Sequence, residues 1–311
     1  MSAEWKRITV VGCGLVGASF ALSVKERGAG RFTIAGWDTS AQVLEDALAR
    51  GVIDEVDYSF AGTGSRLSDA AFLMGDDRAS DLIYLAMPVR GIIDFLKEQG
   101  PTLRPGIIVT DAGSTKAEVC DAAVRYVSRG AEFIGGHPIA GSHRAGLASA
   151  SAGLFRGAPY ILTPANKAEP TQAFVTLKEL IELLCGARVF LMSPAEHDRA
   201  MALVSHLPQV VSGALAATIN RQSNAPSLIE VAGNGYRDMT RLSDSAWSVW
   251  RDILITNPGF LAEAVDSLVQ TITDVRDELR NVTRAQVEAG QAGADDHRDD
   301  HRLAATRKLF K

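Results

Sequence analysis

The stretch RITVVGCGLVGAS, residues 7–19, decides how the chain begins to fold. Ile8, Thr9, Val10 and Val11 are four β-branched residues in a row, the composition of a buried strand. Gly12, Gly14 and Gly17 follow in a G-x-G-x-x-G pattern that opens a helical stretch, LVGASFALSVKERG. The first glycine permits a tight turn, the second lets the backbone approach a pyrophosphate, and the third lets helix and strand pack closely. The N–H groups at the helix start, on Leu15, Val16 and Gly17, present a partial positive charge to phosphate. The next strand ends AGWD and brings Asp38 to where a carboxylate accepts both ribose hydroxyls. A carboxylate repels a 2′-phosphate, and TSAQVLEDALA after it holds no Lys or Arg, so NAD is favoured over NADP.

Outward from this loop, RFTIAGWD (31–38), DLIYLAMP (81–88), GIIVTDAG (106–113), EFIGGHP (132–138) and PYILTP (159–164) read as further strands. Several are separated by helical stretches. The alternation predicts an α/β, Rossmann-type, doubly wound and mostly parallel sheet covered on both faces. Such sheets bind ligands at the carboxyl ends of their strands. After about residue 165 helical periodicity dominates, with RVFLM (188–192) a candidate short strand. The run SPAEHDRAMALVSHLPQVVSGALAATINRQ (193–222) is apolar on several sides, and Gly213, Ala214, Ala216 and Ala217 permit close approach. A helix of that kind wants burial between other helices, some of which a second subunit can supply. The expected division is a dinucleotide-binding domain over 1–165, an all-α substrate and dimerisation domain over 166–290, and a polar tail over 291–311, disordered or loosely helical.

The bulk properties exclude several classes. At 311 residues the chain can bury two cores. Its net charge of −5 argues against general nucleic-acid binding. No window approaches ~20 uninterrupted apolar residues, so no membrane span is expected. The N-terminus has no signal-peptide cleavage pattern. Cys13, Cys120 and Cys185 are scattered without C-x-x-C spacing, which reads as reduced thiols in a cytoplasm rather than disulfides or a zinc site. His297 and His301, four apart in DDHRDDHR, read as a solvated tail, and no metal is expected.

Met87 and Pro88, at the end of DLIYLAMP, join the cofactor-binding set. Two further strand ends carry polar side chains to the edge where the glycine loop opens. IIVTDAGSTKAEV brings Asp111, Ser114 and Lys116, and FIGGHPIAG brings His137. A nicotinamide held by the first loop lies across these ends, so a hydroxyl and an imidazole converge on the hydride position. Ser114 or Thr115 can alternatively cap the following helix. His137 can alternatively be a core histidine satisfied by backbone, although its flanking glycines leave room for a ligand.

Together and in this order, GCGLVGAS, DAGSTKAEV, GGHPIAGSHRAG, EHDRAMALVSHLPQ and GNGYRDMTRLSDS resemble the prephenate/arogenate dehydrogenase family of tyrosine biosynthesis, over roughly residues 5 to 285. The resemblance implies a Rossmann domain, a helical dimerisation domain, and NAD-dependent oxidative decarboxylation of a cyclohexadienol to an aromatic ring. It implies that His137 hydrogen-bonds the ring hydroxyl and takes its proton. It also implies that Ser114 orients that hydroxyl and the histidine, and that Arg241 grips a substrate carboxylate. Arg237, in the same segment, reads rather as half of an ion pair with Asp238 or a neighbour.

The sequence departs from the family pattern in two places. SHLPQ ends on Gln209 where relatives often carry a second histidine. Ser205 and Gln209, four apart, should share a helical face toward the substrate. An amide offers no positive charge to the substrate side chain, which leaves prephenate, arogenate or both open. His206 falls about 100° round the helix and reads as structural; Pro208 predicts a kink. His143 stands where relatives are often acidic and is a candidate for the site entrance. A β-hydroxyacid dehydrogenase or imine reductase would place a lysine in the helical domain, and 193–222 has none. An enzyme acting on an amino-substituted prephenate would keep all these motifs. A non-catalytic NAD-sensing dimer would have no use for His137, Ser114 and Arg241.

Overall fold

A computed structural model describes residues 5–56, 80–141, 146–164, 170–288 and 303–308. His143, His297 and His301 lie outside these residues.

One sheet of eight strands organises the first part: β1 (Arg7–Val11), β2 (Thr33–Trp37), β3 (Glu55–Val56), β4 (Leu82–Leu85), β5 (Ile108–Asp111), β6 (Glu132–Pro138), β7 (Pro159–Thr163) and β8 (Arg188–Leu191). The spatial order is β3-β2-β1-β4-β5-β6-β7-β8. Every pairing is parallel except that of β6 with β7, where His137 stands opposite Ile161. The order reverses between β1 and β4, which opens a crevice beside the glycine turn.

Strand residues alternate between two cores, as the two-residue period of a pleated strand requires. Along β4, Leu82 and Tyr84 pack with Phe20, Val24 and Leu177 on one face. Ile83 and Leu85 pack with Ile92, Phe95 and Val119 on the other. The first face is covered by α1 (Leu15–Gly28) and α5 (Gln172–Leu180), the second by α3 (Val89–Gln99) and α4 (Ala117–Tyr126).

α5 and the π turn after it, Ile181–Cys185, belong to this sheet domain: Leu180, Ile181 and Leu184 are buried in the first core. β8 then pairs with β7, so the sheet ends at Leu191. This corrects the boundary expected near residue 165. The helical periodicity after 165 is that of a helix packed on a sheet, not the start of a helical domain.

From Pro194 no further strand occurs among the described residues. α6 (Pro194–Met201), a π turn (Ala202–His206) and α7 (Leu207–Asn220) form one continuous run. Pro208 brings no N–H to this run, and the π turn just before it takes up the interruption. α8 (Ala225–Glu230), α9 (Asn234–Thr240), a 3₁₀ turn (Arg241–Asp244), α10 (Trp247–Thr256) and α11 (Pro258–Glu288) follow. Of the tail, Ala304–Lys308 is a short helix held to α11, with Thr306 N and Oγ1 each 2.9 Å from Glu278.

Candidate active site

The glycine turn is built as a cradle. Gly12 has φ +96°, and a Cβ there would lie 2.4 Å from the Ala86 carbonyl oxygen. A Cβ on Gly17 would lie 2.0 Å from the Gly12 carbonyl oxygen. Neither position tolerates a side chain. Gly14 differs, because nothing lies within 4 Å of where its Cβ would be. That open face, above a helix start with no side-chain cap and no acidic residue in its first turn, suits the close approach of an anion. Asp38 stands beside it and accepts from Cys13 N at 2.9 Å and Ser40 N at 3.0 Å. One donor per oxygen leaves further lone pairs for hydroxyl donors. These residues fit a dinucleotide.

A cavity of about 230 Å³ continues along the same edge, lined by Ala86, Met87, Pro88, Gly113, Ser114 and, from the helical domain, Val249 and Ile253 among others. Met87, Pro88 and Ser114 thus line one cavity. Ser114 does not cap α4. That helix start is capped from 80 residues away by Asp198, whose carboxylate accepts from Lys116 N at 2.7 Å and Ala117 N at 2.9 Å. The Ser114 hydroxyl has no partner among the described residues.

His137, half-buried at the end of β6, is not satisfied by backbone. Its Nδ1 lies 2.8 Å from Nε2 of His197, and His197 Nδ1 lies 2.7 Å from Asp198 Oδ1. A carboxylate only accepts, so His197 carries its hydrogen on Nδ1. Burial lowers the basicity of His197 and keeps it neutral, although Asp198 opposes the shift. Its Nε2 therefore accepts, and His137 must donate from Nδ1. That leaves Nε2 of His137, without a partner among the described residues, as a lone pair able to take a proton. Burial, followed by the neighbouring His197 and Lys116, pushes His137 well below the ordinary imidazole range.

The support beneath is buried and polar. Lys116 and Asp111 form an ion pair with neither side chain exposed. Asp111 also accepts from Gly136 N at 3.0 Å and Gly113 N at 2.8 Å, and so ties the His137 strand to the Ser114 loop. Asn257 donates to the Asp198 carbonyl at 2.8 Å and reaches His206 Nδ1 at 3.3 Å. His206 is buried edge-on against Trp250, and burial drops its pKa to about 4. Thr115 and Thr256 share a hydrogen bond of 2.7 Å across the two domains.

Ser205 is exposed and its hydroxyl makes no hydrogen bond among the described residues, whereas Gln209 is half-buried. Ser205 lies within the π turn and Gln209 in the first turn of α7 after it. The Gln209 amide is directed at the 3₁₀ turn, donating to Leu242 O at 2.6 Å. Arg241 opens that turn, exposed, its guanidinium without a hydrogen bond or ion pair among the described residues. Arg237 is likewise exposed and does not form the expected ion pair with Asp238. The turn leads into α10, which lines the cavity.

The glycine turn and His137 thus lie at the same edge of the sheet, with His137 held from the helical domain. The prephenate dehydrogenase nucleotide-binding domain matches residues 20–191, and the prephenate dehydrogenase dimerization domain matches residues 193–289. The chain belongs to the prephenate dehydrogenase family. It is a dehydrogenase with a Rossmann-type nucleotide-binding domain. Prephenate dehydrogenase of Bacillus subtilis is 35% identical over 271 residues, 86% of this chain and 69% of that one. The prephenate dehydrogenase of Aquifex aeolicus, solved in complex with hydroxyphenyl propionate and NAD+, is 26% identical with a TM-score of 0.78 over the whole of both chains. Synechocystis arogenate dehydrogenase is 28% identical with a TM-score of 0.71, covering 98% of this chain and 100% of that one. The boundary between the two matched domains falls where the sheet ends. His197 and Asp198 are the site residues that sequence reasoning missed. EHD opens an amphipathic helix, and only the fold brings it 60 residues back to His137.

Proposed function

We propose that this prephenate dehydrogenase family member oxidises and decarboxylates prephenate, arogenate or both, using NAD, with His137 as the base. The observation that carries the reading is the His137–His197–Asp198 chain, which leaves Nε2 of His137 free to accept the ring-hydroxyl proton. When bound, NAD accepts a hydride from the carbon bearing that hydroxyl. His137 removes the O–H proton as the ring carbonyl forms, and His197 with Asp198 behind it stabilises the resulting imidazolium. The new carbonyl then receives the electrons of the breaking C–CO₂ bond, the ring becomes aromatic, and its oxygen regains a proton. Ser114 orients the hydroxyl, and Arg241 holds a substrate carboxylate bidentately.

Gly12, Gly14, Leu15, Val16 and Gly17 hold the pyrophosphate, and Met87 and Pro88 flank the nicotinamide. Asp38 takes the ribose hydroxyls and repels a 2′-phosphate, in keeping with the NAD+ in the Aquifex complex. The working form is a homodimer. By length and composition alone Pro194–Asn220 could cross a membrane, and only 17% of its most apolar window is buried. Yet the same run delivers His197 and Asp198 to the site, which ties it to the sheet domain. Val204 (70% exposed) and Leu203 on it, with Met239, Trp247 and Ile272 on other helices, offer the apolar area that a second copy covers. Three unpaired cysteines suit a cytoplasmic enzyme.

The test is to incubate the purified protein with prephenate or arogenate, each with NAD or NADP, and follow reduced cofactor and aromatic product. NADH and product from at least one substrate, with little from NADP, are expected. No cofactor reduction with either substrate contradicts the reading.

A further inference from the structure

We infer that Gln209 is a positioning residue that acts on the substrate through Arg241. The inference rests on the reading of Arg241 as the carboxylate anchor. Gln209 Nε2 donates to the Leu242 carbonyl at 2.6 Å, and its Oε1 accepts from Ser245 Oγ at 3.3 Å. Leu242 is the second residue of the 3₁₀ turn Arg241–Asp244 and Ser245 follows its last, and the turn closes through Ser245 N to Leu242 O at 3.0 Å. One amide therefore holds the residue after Arg241 and the residue that closes the turn. A planar amide, with donor and acceptor fixed side by side, is matched to that task.

The turn needs such a tie. None of its residues is buried, and the Arg241 guanidinium has no partner among the described residues. A long side chain on an exposed turn loses much of its worth to ordering entropy unless the turn is held. Gln209 belongs to the same helical run as His197 and Asp198, so the base and the carboxylate anchor are positioned from one rigid element. The glutamine that replaces a second histidine thus keeps a geometric role while giving up charge.

A double-mutant cycle on Gln209→Ala and Arg241→Ala, read as KM and kcat with the accepted substrate, tests this. Gln209→Ala should raise KM about 3- to 10-fold, the worth of one or two neutral hydrogen bonds, with kcat within about twofold. Arg241→Ala should raise KM on the order of 100-fold, and the double variant should be no worse than Arg241→Ala alone. Ser245→Ala, which cuts one arm, should give a smaller KM rise than Gln209→Ala. Should Gln209→Ala fail to fold, Gln209→Glu keeps the length but cannot donate to Leu242, and takes its place. Multiplicative losses alongside an intact Arg241 effect overturn this inference alone. An Arg241→Ala enzyme with unchanged KM overturns the anchor reading, and this one with it.

Discussion

Replacing His197 by phenylalanine removes the hydrogen-bond acceptor behind the base while keeping a planar ring. In the native site His137 donates to His197 at 2.8 Å, and His197 passes the interaction to Asp198 at 2.7 Å. Asp198 would still hold Lys116 N and Ala117 N, so the α4 cap and the domain contact survive. What is lost is a hydrogen bond to a histidine that becomes charged during the reaction. Hydrogen bonds to charged groups are worth about 1.5–3 kcal/mol. At 1.36 kcal/mol per decade this lowers kcat about 10- to 150-fold. Stopped or continuous NADH absorbance gives kcat, and titration of intrinsic fluorescence gives NAD affinity, which should not change. A folded His197→Phe enzyme turning over within twofold of the parent would show that the His137–His197 contact plays no part in catalysis.

Other outcomes follow from the same geometry. Gly17→Ala should disrupt the loop, because its Cβ meets the Gly12 carbonyl, whereas Gly14→Ala should fold normally and lose NAD affinity. Equal melting temperatures for the two variants would contradict this. Asp38→Ser with Thr39→Arg should shift preference from NAD to NADP, measured as the ratio of kcat/KM, and an unmoved ratio would place the ribose elsewhere. His206 is held neutral down to about pH 4, while in the unfolded chain it titrates near 6.5. Stability should therefore be complete above about pH 6.5 and fall as pH drops toward 4, by about 3 kcal/mol from this residue. His137 and His197 shift in the same direction. Urea unfolding of the parent and His206→Asn across that window should show a shallower fall in the variant, and parallel slopes would refute the assignment.

Local patterns carried much of this fold in the sequence. The β-branched run of 8–11, the glycines after it and Asp38 at the end of the next strand each obey short-range rules, and each lies where those rules put it. Ser114, Met87, Pro88 and His137 were legible because parallel strands deliver their carboxyl ends to one edge. β8 was harder to assign, since an isolated RVFLM after a long helical stretch carries no sign of which sheet it joins. The π turn that holds Ser205 was not legible, because it leaves no mark in hydrophobic spacing. His197 and Asp198 were overlooked for a different reason: their partners lie 60 and about 80 residues away, a relation no periodicity encodes.

The most direct test of the central claim is the turnover of His137→Asn at saturating NAD and substrate. Asparagine can still hydrogen-bond but cannot take a proton near neutral pH. The account predicts a loss of about 10²- to 10⁴-fold in kcat with NAD binding unchanged. Turnover near that of the parent would mean that another group accepts the proton.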